Sequence, residues 1–220
     1  TDATTNSNVW LNVGDTPSFV AATGGTVTTD GDYKVHVFNS SGTFTVSDQG
    51  NAVGSNTLTY LVIAGGGGAG GAVRGGGGGA GGYRSNYATS GGGASAEAAM
   101  DCPSVAGHSV TVGAGGNAGA YSITNGACTG TVGGNSVFNG ITSLGGGWGG
   151  GSDHPASGGF LANTEPGAGG SGGGAFYGWT GNAGRAGTSG QGYKAGENGA
   201  TAPYGAGGGG AAEEGFDYND

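Results

Sequence analysis

The chain has few of the residues on which several functional classes depend. Among its 220 residues are 5 lysines and arginines, 5 prolines and 2 cysteines. Scattered basic residues disfavour nucleic-acid binding, because phosphate neutralisation needs clustered Lys and Arg. Scarce proline and consecutive glycines exclude a collagen triple helix, which needs glycine at every third position. The cysteines lack companion histidines at ligand spacing, so no metal site is predicted, and no cofactor is expected.

Long apolar runs and helical patterns are also missing. The apolar stretch 58–64 is far shorter than the roughly 20 residues that span a bilayer, so membrane insertion is not expected. The N-terminus lacks the charged region and apolar core of a signal peptide. The best helix candidate, 94–100 (ASAEAAM), is only about two turns long. The sequence therefore predicts a mainly β protein with no substantial α-helix.

Glycine is what the chain has in abundance. Seven of its 61 glycines precede residue 65, so 61 − 7 = 54 follow, many in runs such as 65–71 and 75–82. Such a segment cannot bury enough apolar area, at about 25 cal/mol per Å², to offset ordering costs of about 1–2 kcal/mol per residue. Backbone hydrogen bonds between packed polyglycine II helices, extended with three residues per turn, are the predicted solution. Short strands with glycine turns and a disordered linker stay open as alternatives.

Composition divides the chain into three predicted parts. Residues 1–64 predict an antiparallel, β-sandwich-like domain for attachment or assembly. Residues 65–212 form the glycine-rich domain of polyglycine II helices, short strands and variable loops, and 213–220 an acidic tail. Within the first part, alternation over 33–37 and the turn residues 39–42 predict a hairpin with Thr43–Val46. Leu58–Ala64 reads as a buried strand, and Ser109–Val112 as a strand in the second part.

The acidic charge of the chain indicates solubility, with binding of divalent cations as the alternative. Fourteen acidic and five basic residues give a net charge of −9, which favours solubility. Part of the acid gathers at the C-terminus, in Glu213, Glu214, Asp217 and Asp220.

Glycine-rich motifs typical of enzymes occur here by composition. Gly66, Gly68 and Gly71 match GxGxxG after a strand, but another glycine run follows where a dinucleotide site needs a helix. Residues 169–173 match GxSxG without the strand and helix that flank a nucleophile elbow. Ser152, Asp153 and His154 are adjacent in sequence and cannot form a hydrogen-bonded relay. The chain is therefore predicted not to be an enzyme.

The stretches between the glycine runs carry aromatic and polar residues. In an array of packed helices they would become loops at the edges, where binding residues concentrate. Tyr and Trp give large contact area at small entropic cost, although the same rings could instead seal the array or a subunit interface. The receptor-binding candidates are Trp148, His154, Phe160, Phe176, Tyr177, Trp179, Tyr193 and Tyr204. Cys102 and Cys128 are a disulfide candidate whose formation depends on the redox compartment.

The order of these segments resembles a known class. The phrase GDYKVHVFNSSGTFTVSDQG (31–50) followed by LTYLVIAGGGGAGG (58–71) is similar to the lead-in of glycine-rich domains in bacteriophage virion appendages. HSVTVGAGGNAG (108–119) and GGNSVFNGITSLGGGWGGG (133–151) are similar to their continuation. More loosely, the alternating runs resemble tail-fibre-tip adhesins of T-even-like phages, in which a polyglycine II sandwich displays receptor-binding loops.

The resemblance implies a non-enzymatic virion protein on the outside of the particle, from a cyanophage or other aquatic phage. It would be a tail-fibre or fibre-tip component that contacts a host-surface protein or glycan. Sister subunits, in a homotrimer as in related fibres, and other virion proteins bound through the N-terminal domain would be its partners. A capsid decoration or head fibre is the alternative. An ice-binding protein is a more distant one, because glycine-rich bundles can present flat, regular faces.

Overall fold

A computed structural model describes residues 16–71, 75–120, 128–151, 166–176, 183–198 and 204–217. These residues contain strands and no α-helix, which confirms the predicted mainly β class. No helix able to cross a membrane occurs in these ranges. The strands are β1 Val20–Thr23, β2 Thr26–Asp30, β3 Tyr33–Val37, β4 Gly42–Gln49, β5 Thr57–Leu58, β6 Leu61–Ile63, β7 Tyr83–Ser85, β8 Met100–Asp101, β9 Gly107–Thr111, β10 Ser136–Phe138 and β11 Ile141–Ser143.

The largest sheet combines strands from distant parts of the sequence. It has the order β1-β4-β9-β10-β11, and all its pairings are antiparallel. β10 and β11 form a hairpin whose two turn residues, Asn139 and Gly140, have φ of 44° and 80°. Both angles suit the tight type I′ turn that Asn-Gly favours. Strands from both sides of residue 64 therefore share one sheet, and β9 matches the strand predicted at 109–112.

The predicted hairpin between 33–37 and 43–46 is wrong. Both segments are strands, but β3 pairs with β2 in a separate two-stranded ribbon, whereas β4 pairs with β1 and β9. Phe44 and Val46 of β4 are buried, so apolar burial selects long-range partners over the neighbour in sequence. The turn residues 39–42 connect two sheets instead of closing one. The helix candidate 94–100 is likewise not helical: its last residue starts β8.

Two small apolar clusters form the core beside the sheets. Phe44, Val46 and Cys102 make the first, and Tyr60, Val62 and Met100 the second. The half-buried side chains of Leu58 and Phe138 belong to both, and the Phe44 and Phe138 rings meet edge to face at 5.6 Å. The stretch predicted as a single buried strand, 58–64, is divided between β5 and β6. It buries Val62 while Leu61 and Ile63 are exposed.

Beyond the sheets the glycine runs form extended rows that bond to one another with a period of three residues. In row 75–82, the N–H groups of Gly76, Gly79 and Gly82 donate to one neighbouring row, at Gly150, Gly147 and Leu144, each at 2.8 Å. The N–H groups of Gly77 and Ala80 donate to another, at Ala206 and Gly209. Since a helix with three residues per turn directs every third residue to the same side, this is the bonding of packed polyglycine II helices.

The rows pack in two layers. Rows 113–120, 64–71, 75–82 and 205–210 form the first, joined by bonds such as Gly116 N to Gly66 O at 2.8 Å and Gly67 N to Gly79 O at 2.8 Å. The second layer contains rows 128–134, 144–150, 171–175 and 192–196. Segments 166–169 and 183–187 bond to its outer side, through Gly167 N to Trp148 O and Arg185 N to Gly173 O. Bonds such as Gly79 N to Gly147 O at 2.8 Å connect the layers. Backbone groups that face a neighbouring row are thus hydrogen-bonded to it.

Neighbouring rows lie too close for a side chain between them. A Cβ atom placed on Gly67 would overlap the carbonyl groups of Gly146 and Gly147. On Gly66, the next residue, it would have Gly79 O as its nearest atom at 3.7 Å, an ordinary contact. Glycine is therefore required at some positions of a row and replaceable at others.

Gly67→Ala should lower the free energy of unfolding by about 2–3 kcal/mol, because the methyl group forces the two layers apart. Gly66→Ala should leave the free energy of unfolding unchanged or raise it by about 0.4–1 kcal/mol, because alanine lowers the conformational entropy of the unfolded chain. Urea denaturation of both variants measures the difference. Equal stability of the two would contradict the close packing of the layers.

Candidate functional site

One end of the glycine array joins the β-sheets. Row 64–71 continues from β6, and row 75–82 leads into β7. Their first bond at this end runs from Ala64 N to Gly82 O at 3.1 Å, and Gly82 N donates to Leu144 O at 2.8 Å, next to β11. The Ser143 hydroxyl donates to Gly82 O in addition. The sheets therefore hold the rows in register at this end, which we call the sheet end.

The opposite end, which we call the distal end, gathers the flanks of the stretches 72–74, 121–127, 152–165, 177–182 and 199–203, which lie outside the described residues. The bonds that join these flanks are Gly70 N to Gly76 O, Gly71 N to Cys128 O, Gly119 N to Ala69 O, Gly76 N to Gly150 O, Gly150 N to Gly174 O, Gly167 N to Trp148 O, Arg185 N to Gly173 O, Ala206 N to Ala175 O and, from the side chain, Asn198 Nδ2 to Ala175 O. Five connections distant in sequence thus start and finish on one side of the array, away from the sheets.

Four of the eight predicted receptor-binding residues are described, and they differ in exposure. Phe176 is completely buried at the distal end, so in this chain its ring packs inside the array. Tyr204 at the same end is 61% exposed, and Trp148 and Tyr193 are partly buried. His154, Phe160, Tyr177 and Trp179 lie outside the described residues.

The two cysteines occupy different environments. Cys102 is a free thiol in the first apolar cluster, and its pKa is raised by burial and by the nearby Asp48 carboxylate. Cys128 is buried at the distal end, where its carbonyl accepts the Gly71 N–H. The proposed bridge between them is accordingly not formed in this structure. A raised pKa keeps the Cys102 thiol protonated and unreactive at neutral pH.

A charged cluster that the sequence reasoning missed supports the sheet end. The Arg84 guanidinium donates to both Glu97 oxygens, at 2.6 and 2.8 Å, and to Thr142 O at 3.1 Å. The Tyr60 hydroxyl donates to Glu97 at 2.7 Å, and the Ser90 hydroxyl lies 3.4 Å from it. These contacts tie β7, β11 and Tyr60, the residue before β6, to the loop before β8. Positions 60, 84 and 97 carry no common motif, so only the fold reveals the cluster.

The environment shifts the pKa values of this cluster. Burial alone raises the pKa of Glu97, but hydrogen bonds from Arg84 and Tyr60 outweigh it and leave the pKa below its ordinary value. Burial first, and then the hydrogen bond to Glu97, raise the pKa of Tyr60 to about 12. Arg84 and Glu97 are therefore charged and Tyr60 is neutral at pH 7, so charge-assisted hydrogen bonds hold the cluster together.

Acidic residues border the array beside row 205–210. Lys194 lies 3.4 Å from Glu214 and 3.7 Å from Glu197, and the Glu214 carboxylate raises its pKa. The Asp217 carboxylate accepts the Glu197 N–H. Gly215 N donates to Lys194 O at 3.0 Å, so residues of the predicted tail belong to the array. Within the described ranges, no three His, Cys, Asp or Glu side chains are grouped to hold a metal ion.

Comparisons of the chain with protein-family models, with curated proteins and with solved structures find no match.

Glu97→Gln should lower the free energy of unfolding by about 2 kcal/mol at pH 7, because Arg84 loses its partner. The folded-state pKa of Glu97 lies below the unfolded value, so its contribution is present above the unfolded value of about 4.3. The contribution disappears as the pH falls through the lower folded value. Urea denaturation of the wild type and the variant at pH 7 and near pH 2.5 measures the difference between their free energies of unfolding at each pH. An equally large difference at the acidic pH would show that the ionised Glu97 carboxylate is not what stabilises the fold.

Tyr60 should titrate near pH 12 rather than near 10, the ordinary tyrosine value. Because its folded pKa is raised, it stabilises the fold at pH below the unfolded value, and this contribution is lost as the pH rises through about 12. The absorbance difference at about 295 nm between wild type and Tyr60→Phe isolates its titration. A midpoint near 10 would show that the hydroxyl is not held by Glu97.

Proposed function

We propose that this chain is a non-enzymatic structural protein of a bacteriophage virion appendage, a tail fibre or fibre tip that displays loops for host-surface recognition. The observation that carries the proposal is the convergence of five connections at the distal end of a rigid array. Binding residues concentrate on loops that a rigid scaffold positions. The resemblance of 31–50, 58–71, 108–119 and 133–151 to phage appendage domains supplies the biological setting.

The two ends of the molecule suit different roles in such an appendage. The sheet end contains the five-stranded sheet, the β2–β3 ribbon and the apolar clusters, so it is the part suited to attachment to other virion proteins. The distal end carries Tyr204, whose exposed ring suits contact with a protein or a glycan. Sister copies would present several distal ends together and raise avidity.

The polyglycine array explains why such a tip needs little apolar core. Its rows are held by backbone bonds that do not depend on which residues occupy the connections. The connections can therefore vary in sequence without loss of the scaffold, a property that suits recognition of changing host surfaces. This reasoning favours a fibre tip over a capsid decoration, in which variable connections serve no evident purpose.

Tyr204→Ala should weaken binding of the purified protein to intact host cells about tenfold, because the exposed aromatic ring at the distal end is lost. The matched control is Tyr87→Ala, which removes a tyrosine that is 74% exposed beside β7 at the sheet end and should leave binding unchanged. Labelled protein titrated against a panel of cyanobacterial and other aquatic bacteria gives the affinities.

Three outcomes of this experiment are informative. Loss of cell binding in the Tyr204 variant alone supports recognition through the distal end. Equal loss in both variants, or loss only in the Tyr87 variant, contradicts it. A well-folded protein that binds no cell of the panel favours the capsid decoration or head-fibre role instead.

A further inference from the structure

The outer surface of the first layer is made almost entirely of backbone. In row 75–82, two of every three residues donate to neighbouring rows, whereas the N–H and C=O groups of Gly75 and Gly78 have no hydrogen-bond partner within the described part of the protein. The N–H groups at the equivalent positions of the other three rows also lack partners there. We call this surface the bare face; its members are Gly66, Ala69, Gly75, Gly78, Gly115, Ala118, Gly205 and Gly208.

The outer surface of the second layer is different. Its outward positions carry side chains such as Val132, which is 49% exposed, and Trp148. The Trp148 ring lies directly over Gly167, where a Cβ atom would overlap it. Two surfaces of one array thus differ: one is covered by side chains and by segments 166–169 and 183–187, and the other leaves regularly spaced donors and acceptors exposed. Such a row of unpaired backbone groups is a template for pairing with another chain, as at the edge of a β-sheet.

Charge limits what can cover the bare face. None of the four rows of the first layer contains Asp, Glu, Lys or Arg, although the chain has a net charge of −9. The acidic residues Glu213, Glu214 and Asp217 lie to one side, beside row 205–210. A second, equally acidic copy can therefore approach this surface without bringing like charges together, provided that its row 113–120 faces row 205–210.

Geometry favours a second copy over other proteins. Residues such as Gly75 and Gly78 present both a donor and an acceptor, so two such faces are mutually complementary. Close approach of the two backbones requires surfaces with little beyond Cα, which this chain supplies. Three rows of eight residues, about 25 Å long, and one of six, about 19 Å long at 3.1 Å per residue, lie about 4.8 Å apart and offer on the order of 450 Å² per copy. Val62 of β6 packs in the second cluster beside Ile141 of β11, on the side of the second layer, so the exposed Leu61 and Ile63 lie on the other side of β6, next to the bare face. Their area brings the contact to the roughly 1,000 Å² total of a specific interface.

We propose that the bare face is the contact between two copies of this chain, related by a two-fold axis. Backbone groups of facing rows pair across it, and Leu61 and Ile63 bury apolar area at its margin. The pairing adds a further layer to the array in the way that a strand extends a sheet. This contact is separate from the distal end and holds whether or not that end recognises a host.

The test places a side chain on the bare face without disturbing the fold. Gly66 and Gly115 tolerate a Cβ, with nearest atoms at 3.7 and 3.8 Å, so Gly66→Gln combined with Gly115→Gln should fold normally. The matched control is Val132→Gln on the outer surface of the second layer. Sedimentation equilibrium of the full chain should show a dimer for wild type and control. The double variant should dissociate at least tenfold more readily, with unchanged circular dichroism.

Other results would overturn the proposal. A wild-type monomer at the highest soluble concentration excludes the contact, and a dimer or trimer that survives the double substitution places the contact elsewhere. Thermal hysteresis shown by a monomeric wild type and lost in the double variant would assign the bare face to ice instead. If the circular dichroism shows that the double variant does not fold, Ile63→Gln tests the same contact without a change in any glycine row, because this side chain is 52% exposed. Dimerisation of the Ile63 variant as tight as that of the wild type would then refute the contact.

Discussion

The hydrogen bond between backbones of neighbouring glycine rows is the interaction on which the rest of this protein depends. Each such bond contributes only about 1 kcal/mol net, and glycine loses more conformational entropy on folding than other residues. A single row could not persist, whereas two layers let a row such as 75–82 bond on several sides at once. The bonds form only because the rows approach within a distance that excludes a Cβ, as at Gly67.

The β-sheets fix the register in which the glycine rows of the array align with one another. Glycine rows have no side chains with which to distinguish one alignment from another, and weakly specified register invites slippage. Strands β6, β7, β10 and β11 lead directly into or out of the rows. The two apolar clusters and the Arg84–Glu97 pair position those strands. Side-chain packing at the sheet end therefore sets an alignment that propagates along the rows to the distal end.

Different parts of the molecule supply its stability and its candidate recognition surface. The sheet end is held by packing of apolar side chains, and the array is held by hydrogen bonds between backbones. A tip built in this way can change its surface while its scaffold stays the same, which is the reason for our proposal of host recognition. The bare face extends the same logic, because backbone groups left unpaired at a surface of the array are suited to pairing with a second array.

Composition determined the fold class and the packing principle. Residues 65–82 contain too little apolar area for a core, and no stretch has the length or periodicity of a helix, so a β protein with polyglycine rows followed from the sequence. Tertiary structure decided the strand pairings and side-chain contacts between residues that are distant in sequence. It paired β4 with β1 and β9 rather than with β3, because burial of Phe44 and Val46 outweighed a favourable local turn. It also brought Tyr60, Arg84 and Glu97 together, buried Phe176 while leaving Tyr204 exposed, and gathered five connections at one end, since contacts between residues far apart in sequence leave no local pattern.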